Sequence, residues 1–180
     1  MGGFGFGIHD GDAGAFGGGI QAGYRLSRWL AIGALLEGSG QRERPMVRGQ
    51  AAYRRYDLGL GLTVGKAVGP IFGDVTVLPE LTLLTVEGRN LNPGKSVTQW
   101  GAAADARLRL GPVLGPWRPF IFGAGSYAFS AERLTLDDYP GQGTTLSRRN
   151  VMVGLGLAYA FGTAKSGEAF VSWPSPGLGE

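Results

Sequence analysis

Residues 151–161 read Val-Met-Val-Gly-Leu-Gly-Leu-Ala-Tyr-Ala-Phe, and no other stretch constrains the fold so tightly. Val151, Val153, Leu155, Leu157, Tyr159 and Phe161 are large and apolar, while Gly154, Gly156, Ala158 and Ala160 between them are small. A period of two is the signature of a β-strand, with each set on its own face. A sheet in water would turn one bulky face to a core and a polar face to solvent. Here the second face is nearly bare. That suits a strand whose greasy side meets lipid and whose small side lines a crowded barrel interior.

The rest of the composition agrees. Glycine supplies 34 of 180 residues, where about 7% is usual. Disorder is excluded by a hydrophobic fraction of 43% and an aromatic fraction of 11%, both far above what disordered chains carry. Glycine does not recur at every third position, so a collagen helix is excluded. There is no cysteine. A closed barrel needs none, because every backbone group is paired and no edge is open. No apolar run nears the roughly 18 residues of a membrane helix; the longest, Trp29 to Leu36, is too short. The net charge of +3 is too mild for a nucleic-acid partner, and no basic patch interleaves with aromatics.

Eight segments alternate with period two: 3–8, 13–26, 29–42, 47–65, 71–88, 96–110, 117–136 and 148–161. The expected fold is all-β, an eight-stranded antiparallel up-and-down transmembrane barrel over 1–162, with a flexible periplasmic tail over 163–180. Short connections make consecutive strands antiparallel neighbours. Turns at Ser27, Lys66 to Pro70 and Gly111 to Pro116 are compact, whereas 42–48, 89–95 and 137–147 are longer and more polar. Short periplasmic turns and long outer loops are the asymmetry of bacterial outer-membrane barrels. It puts both termini on the periplasmic side. The chain enters its alternation at Met1 with no visible leader, which is the expectation for a trimmed leader or a late start. Two irregularities are predicted. Pro79 cannot donate to a ladder, so a bulge or local irregularity is expected there. Phe120 and Phe122 disagree in parity with Tyr127 and Phe129, which a bulge would reconcile.

The face opposite the bulky residues collects Glu37, Arg55, Asp57, Asp74, Glu80, Asp105, Arg107 and Arg109. A midplane arginine or lysine facing lipid costs roughly 2–4 kcal/mol, so the period assigns these to the interior. Buried charges persist only when paired. The expectation is a lumen ion-pair network that plugs the barrel, with a narrow, gated conducting path as the alternative. Counting from the turns puts Glu37, Arg55 and Glu80 at one height, and Asp74 with Arg107 nearer the turns. Tyr24, Trp29, Trp117, Tyr159 and Phe161 fall near the short-turn ends of their strands, the pattern of an aromatic girdle at a membrane interface.

Over residues 3–161 the chain resembles the OmpA-like transmembrane barrel family of small outer-membrane barrels. The best local match is Gly156-Leu157-Ala158-Tyr159-Ala160-Phe161, in which Gly156, Tyr159 and Phe161 resemble the terminal assembly signal read by the barrel-insertion machinery. The resemblance implies a bacterial outer-membrane location, outer-membrane lipid as surroundings and a monomer. It implies a structural or envelope-interaction role, with a porin-like channel as the alternative.

Chemistry is sparse. The single histidine, His9, lies beside Asp10 and Asp12 in what reads as a solvated turn rather than a metal or acid–base site. No enzyme, cofactor or metal is expected. The outer loops hold Arg42, Arg44, Arg48, Arg89, Lys95, Arg148 and Arg149, and arginine pairs well with lipid phosphate, so lipopolysaccharide contact is weighed against ordinary solvated loops. A soluble lipocalin-like ligand-binding barrel would need large apolar residues inside, and a lipid A-modifying enzyme would need a base near the rim.

Overall fold

A computed structural model describes residues 2–10, 15–45, 50–89, 96–130, 133–135 and 143–161. Among them the strands are β1 (Gly2–Asp10), β2 (Ala15–Arg25), β3 (Leu30–Ser39), β4 (Arg42–Pro45), β5 (Gln50–Val68), β6 (Ile71–Arg89), β7 (Ser96–Pro112), β8 (Trp117–Ala128), β9 (Arg133–Thr135), β10 (Gly143–Thr145) and β11 (Arg149–Tyr159). β9 and β10 form a separate hairpin. The other nine strands make one sheet in the order β3-β2-β1-β11-β8-β7-β6-β5-β4, in which the short β4 continues β3 along β5, and β3 itself pairs again with β5. That last pairing closes the ring. Eight long strands, each antiparallel to both neighbours, form an up-and-down barrel.

One end of the barrel is built from tight turns. Ser27 Oγ accepts from the Leu30 amide at 3.2 Å between β2 and β3. Gly69, with φ 59°, sits in the turn between β5 and β6, and Gly115, with φ 62°, between β7 and β8; both angles favour a residue without a Cβ. The β5–β6 turn is tighter than the sequence suggests, because the strand runs on through Lys66 to Val68. At the opposite, loop end, β5, β6 and β7 reach well past the point where β3 stops.

The alternation is realised with the large residues outward. Ile20, Leu58, Leu60, Val77, Val153 and Leu155 are each more than half exposed. Glu37, Asp57, Asp74, Glu80, Asp105, Arg107 and Arg109 are buried. Glycines let the inner wall close. A Cβ on Gly61 would collide with the Val77 carbonyl and Leu78, and one on Gly65 would collide with Asp74.

Three local features differ from the sequence expectation or sharpen it. First, β8 has no bulge. Its register with β11 is unbroken from Arg149 opposite Tyr127 to Tyr159 opposite Trp117. Phe120 and Phe122 point inward, where they pack at the turn end of the lumen, and Tyr127 and Phe129 point outward. Aromatic side chains sit on both faces, so an aromatic does not by itself mark the outer one.

Second, Pro79 breaks the ladder without shifting it. Gly59 pairs with Glu80 and Leu62 with Val77, but the positions between are unpaired. Both strands advance equally, so no residue is inserted. On its other side Pro79 stays opposite Ala104. Third, a bulge does occur at Gly40 and Gln41. Gly38 pairs with Tyr56 and Arg42 with Tyr53, so four steps on one strand match three on the other. The extra residue reverses the parity. Arg42, expected on a solvated loop, is turned inward and is only 8% exposed.

Leu62 lies on the outer face midway along β5, between Tyr56 and Val68. Replacing it with arginine puts a charge on the apolar outer face of the wall. Leu62→Arg is expected to lower stability in lipid vesicles by about 2–4 kcal/mol. Reversible urea unfolding followed by tryptophan fluorescence checks this, and a neutral effect would contradict the outward assignment of that face.

Candidate functional site

The inner face of β6 reads as a section through the lumen. From the turn end it presents Phe72, Asp74, Thr76, Leu78, Glu80, Thr82 and Leu84, all buried. Every second residue of one strand faces inward, so the other strands add to each level in turn.

At the turn end Ala67, Phe72, Phe120 and Ala158 pack together, with Val113 and Phe122 against them. The Arg118 guanidinium lies over the Phe72 ring at 5.7 Å. This apolar layer lies at that end of the lumen. Above it stands the first charged level. Arg109 and Asp74 are directly opposite on β7 and β6. Arg109 Nε donates to Asp74 Oδ1 at 2.7 Å and Nη2 to Oδ2 at 3.0 Å, a two-pronged contact. Its Nη1 donates to Gln21 Oε1 at 2.8 Å, tying β7 across the lumen to β2. Such charge-assisted, forked bonds are the strong ones. Next come the Thr63 and Thr76 hydroxyls, bonded to each other at 2.8 Å, and Leu78.

The second charged level is larger. Arg107 Nη1 lies 2.7 Å from Glu37 Oε2, its Nε 2.7 Å from Asp105 Oδ1, and its Nη2 3.6 Å from Glu80 Oε1. One guanidinium therefore meets carboxylates from β3, β6 and β7. Asp57 stands opposite Glu37 across the β3–β5 ladder, a like-charge pairing that would repel on its own. It is compensated by Arg55, whose Nε donates to both carboxylate oxygens at 2.9 and 3.0 Å. The Thr82 hydroxyl also donates to Asp57 Oδ1 at 2.7 Å. A cavity of about 10 Å³ is left among Glu37, Asp57, Glu80, Asp105 and Arg107, room for about one water. Above this level Ala51, Tyr53, Leu84 and Leu146 form a second apolar layer, with Val86 against it.

All eight charged residues named from the sequence therefore fall on the lumen side, in two groups. The grouping differs from the count along the strands. Arg107 joins Glu37 and Glu80, not Asp74, whose partner is Arg109. Barrel strands are tilted and staggered, so equal counts from the turns do not give equal heights. A long arginine also reaches past its own level. The two apolar layers are absent from the sequence expectation, although Phe72 and Leu84 share the parity of Asp74 and Glu80, which assigns them to the interior too.

Of the girdle residues, Tyr24, Trp29, Trp117 and Phe161 are exposed on the outer face at the turn end. Tyr159 packs between two of them, with ring centroids 4.7 Å from Trp117 and 4.8 Å from Phe161. Of the proposed assembly residues, Gly156 lies on β11 opposite Gly5 and Phe120. A second outward aromatic set, unread in the sequence, lies toward the loop end: Phe16, Tyr56, Trp100, Tyr127 and Phe129. On β8, Trp117 and Tyr127 are ten positions apart. At about 3.4 Å per residue and a tilt near 35–45°, the two sets stand about 24–28 Å apart along the axis, against an apolar band about 25 Å tall in outer-membrane barrels.

The remaining sequence candidates scatter. His9 and Asp10 belong to β1 and not to a turn, with His9 opposite Met152. Asp12, Arg48, Lys95 and the tail lie outside the described residues. Arg148 and Arg149 are exposed at the loop end.

No protein-family model matches the chain, and no curated protein matches it in sequence. Solved structures do. Neisserial surface protein A is similar with a TM-score of 0.64, at 14% identity, over 89% of this chain and 94% of that one. Ail, the attachment invasion locus protein of Yersinia pestis, is similar with a TM-score of 0.51, at 13% identity, over 88% and 93%. A structure of Ail in complex with the heparin analogue sucrose octasulfate gives 0.51, at 12% identity, over 88% and 94%. At such identities the likeness is one of fold, and the fold is that of small eight-stranded outer-membrane β-barrels.

Arg107 neutralises more than one carboxylate inside this barrel. Removing one partner of a buried pair costs about 3–5 kcal/mol, so Arg107→Met is expected to destabilise by at least that much. Arg107→Met combined with Glu37→Gln is expected to be less damaging than the sum of the two. A double-mutant cycle by urea unfolding in vesicles measures the coupling; strict additivity would contradict the contact.

Proposed function

We propose that this chain is an integral protein of the bacterial outer membrane with a structural or envelope-interaction role, its lumen plugged by its own side chains. One observation carries the reading. The large apolar residues face outward while paired charges fill the inside, which is the reverse of a soluble barrel. The lipocalin-like alternative needs an apolar cavity, and this lumen is charged and nearly full. The two aromatic sets, separated by about the height of an apolar band, support the same reading.

The plug has two parts. Ion pairs fill the middle, and an apolar layer lies at each end of the charged levels. A conducting path would have to cross both layers. The reading therefore favours a closed barrel over a narrow porin-like channel. The exposed Arg148 and Arg149 supply positive charge at the loop end, where lipopolysaccharide phosphate is the partner of matching chemistry. Gly156, Tyr159 and Phe161 are proposed to serve assembly-machinery recognition on β11. No catalytic role is proposed, and a monomer is sufficient, since the closed ring leaves no strand edge for a partner copy to pair with.

Two measurements test this. Protein extracted from outer membranes is expected to migrate faster on a denaturing gel unheated than boiled, as a resistant closed barrel does; identical migration would count against the membrane barrel. In planar bilayers the pure protein is expected to be electrically silent. Steady channels that disappear when Phe72 and Leu84 are left intact and only Arg107 is replaced by methionine would replace the plug with a gated pore.

A further inference from the structure

We propose that the compartment around Glu80 binds one proton, held on the Glu80 carboxyl while the barrel is folded at neutral pH. The inference rests on the sealed-lumen reading above. It begins from a charge count within one level. Four carboxylates, Glu37, Asp57, Glu80 and Asp105, face only two guanidinium groups, Arg55 and Arg107.

The four carboxylates are not served equally. Glu37 and Asp105 each have an Arg107 nitrogen at 2.7 Å. Asp57 has Arg55 at 2.9 Å and the Thr82 hydroxyl at 2.7 Å. Among the described residues Glu80 has only Arg107 Nη2 at 3.6 Å, beyond hydrogen-bond range, and its Oε1 accepts no hydrogen bond from them. Yet its side chain is 2% exposed. A buried carboxylate oxygen left without a donor is among the most costly arrangements in a protein.

The described groups lining this space come from β3, β5, β6, β7, β8 and β11. Besides the four carboxylates and two arginines, Thr82 stands on β6, Ser126 on β8, and Asn150 and Met152 on β11. Among the described residues no further cation lines it. Arg109 is held by Asp74 a level below, with Leu78 between. The missing positive charge must therefore be small. The space is about 10 Å³, and the Arg107 guanidinium on its border would repel a metal ion. A proton takes no volume. It also converts a carboxylate that only accepts into a carboxyl that donates, and Ser126 and Asn150 bring acceptor oxygens to the same cavity.

A folded barrel that binds one more proton than the unfolded chain loses stability as pH rises. Infrared spectra of the full-length protein in vesicles at neutral pH are expected to contain the carbonyl band of a buried neutral carboxylic acid, absent from Glu80→Gln. The heat-modification midpoint of Glu80→Gln is expected to equal that of the unmodified protein at neutral pH, while Glu37→Gln lowers it. The fall of the midpoint from mildly acidic to alkaline buffer is expected to be shallower in Glu80→Gln. Should that variant fail to insert, carbon-13 carboxyl-labelled glutamate is expected to shift the band in the unmodified protein, and labelled aspartate to leave it in place.

The proton assignment is overturned by absence of the band, by a band that follows aspartate, or by a Glu80→Gln midpoint as low as that of Glu37→Gln. It is also overturned if sodium, but not choline at equal ionic strength, raises the midpoint through Glu80, because the occupant is then a metal ion. Heat-modifiable migration of the unmodified protein tests the barrel reading separately. A barrel that passes that test but lacks the band loses only the proton.

Discussion

Everything in this molecule follows from the need to pair every backbone amide and carbonyl within a wall whose outside is apolar. Strands can meet that need in hydrocarbon only by closing on themselves. The pairing of β3 with β5 is therefore the contact on which the rest depends. Once eight strands close, the diameter is set, and the interior is just wide enough for side chains to fill. Bulky groups cannot all fit there. The abundant glycine and alanine of the inner face answer this crowding. Gly61 and Gly65 stand where Leu78 and Asp74 approach the neighbouring backbone. The same closure explains the Pro79 break. A missing donor opens the β5–β6 ladder locally, but a closed ring holds the register on either side.

The charged residues inside then need a different account from ordinary buried ion pairs. Facing lipid is worse for them, so their burial is a choice between two costs. The fold lowers the interior cost by geometry. Arg109 and Asp74 meet fork to fork, and Arg55 grips Asp57 from the same strand. These pairs also tie distant strands. Arg109 reaches Gln21 on β2, and Arg107 reaches Glu37 on β3. Pairing alone sets neighbours around the wall; these contacts cross the lumen and resist flattening.

Much of this could be read in the chain before its structure. The period-two pattern located all eight long strands, the inward charges and the outward aliphatics, because in a two-faced strand parity decides burial. What parity could not reveal was any event that changes it or any relation between strands. The bulge at Gly40 and Gln41 inverts Arg42, and nothing local in Ser-Gly-Gln-Arg announces it. Phe120 and Phe122 suggested a bulge where there is none, because an apolar ring is as welcome in a plug as in a membrane. The partners of Asp74 and Arg107 depended on stagger, which is a property of the closed ring and is written in no single strand.

The order of layers along the axis carries the final step. Phe72 and Leu84 lie on the same face of β6 as Asp74 and Glu80, Phe72 next to Asp74 and Leu84 beyond Glu80 with Thr82 between. They stand at the two limits of the charged section, and in the proposed plug they are the layers that screen it from water at the turn end and the loop end. Screening strengthens each ion pair, because the attraction grows as the local dielectric falls. It also raises the penalty on any charge left over. A lumen arranged this way is rigid where its charges balance and sensitive where they do not, and the imbalance is concentrated at the level of Glu80. The apolar layers and the ion pairs are thus one device: the layers make the pairs strong, and the pairs allow polar residues to fill a barrel whose outer face is apolar.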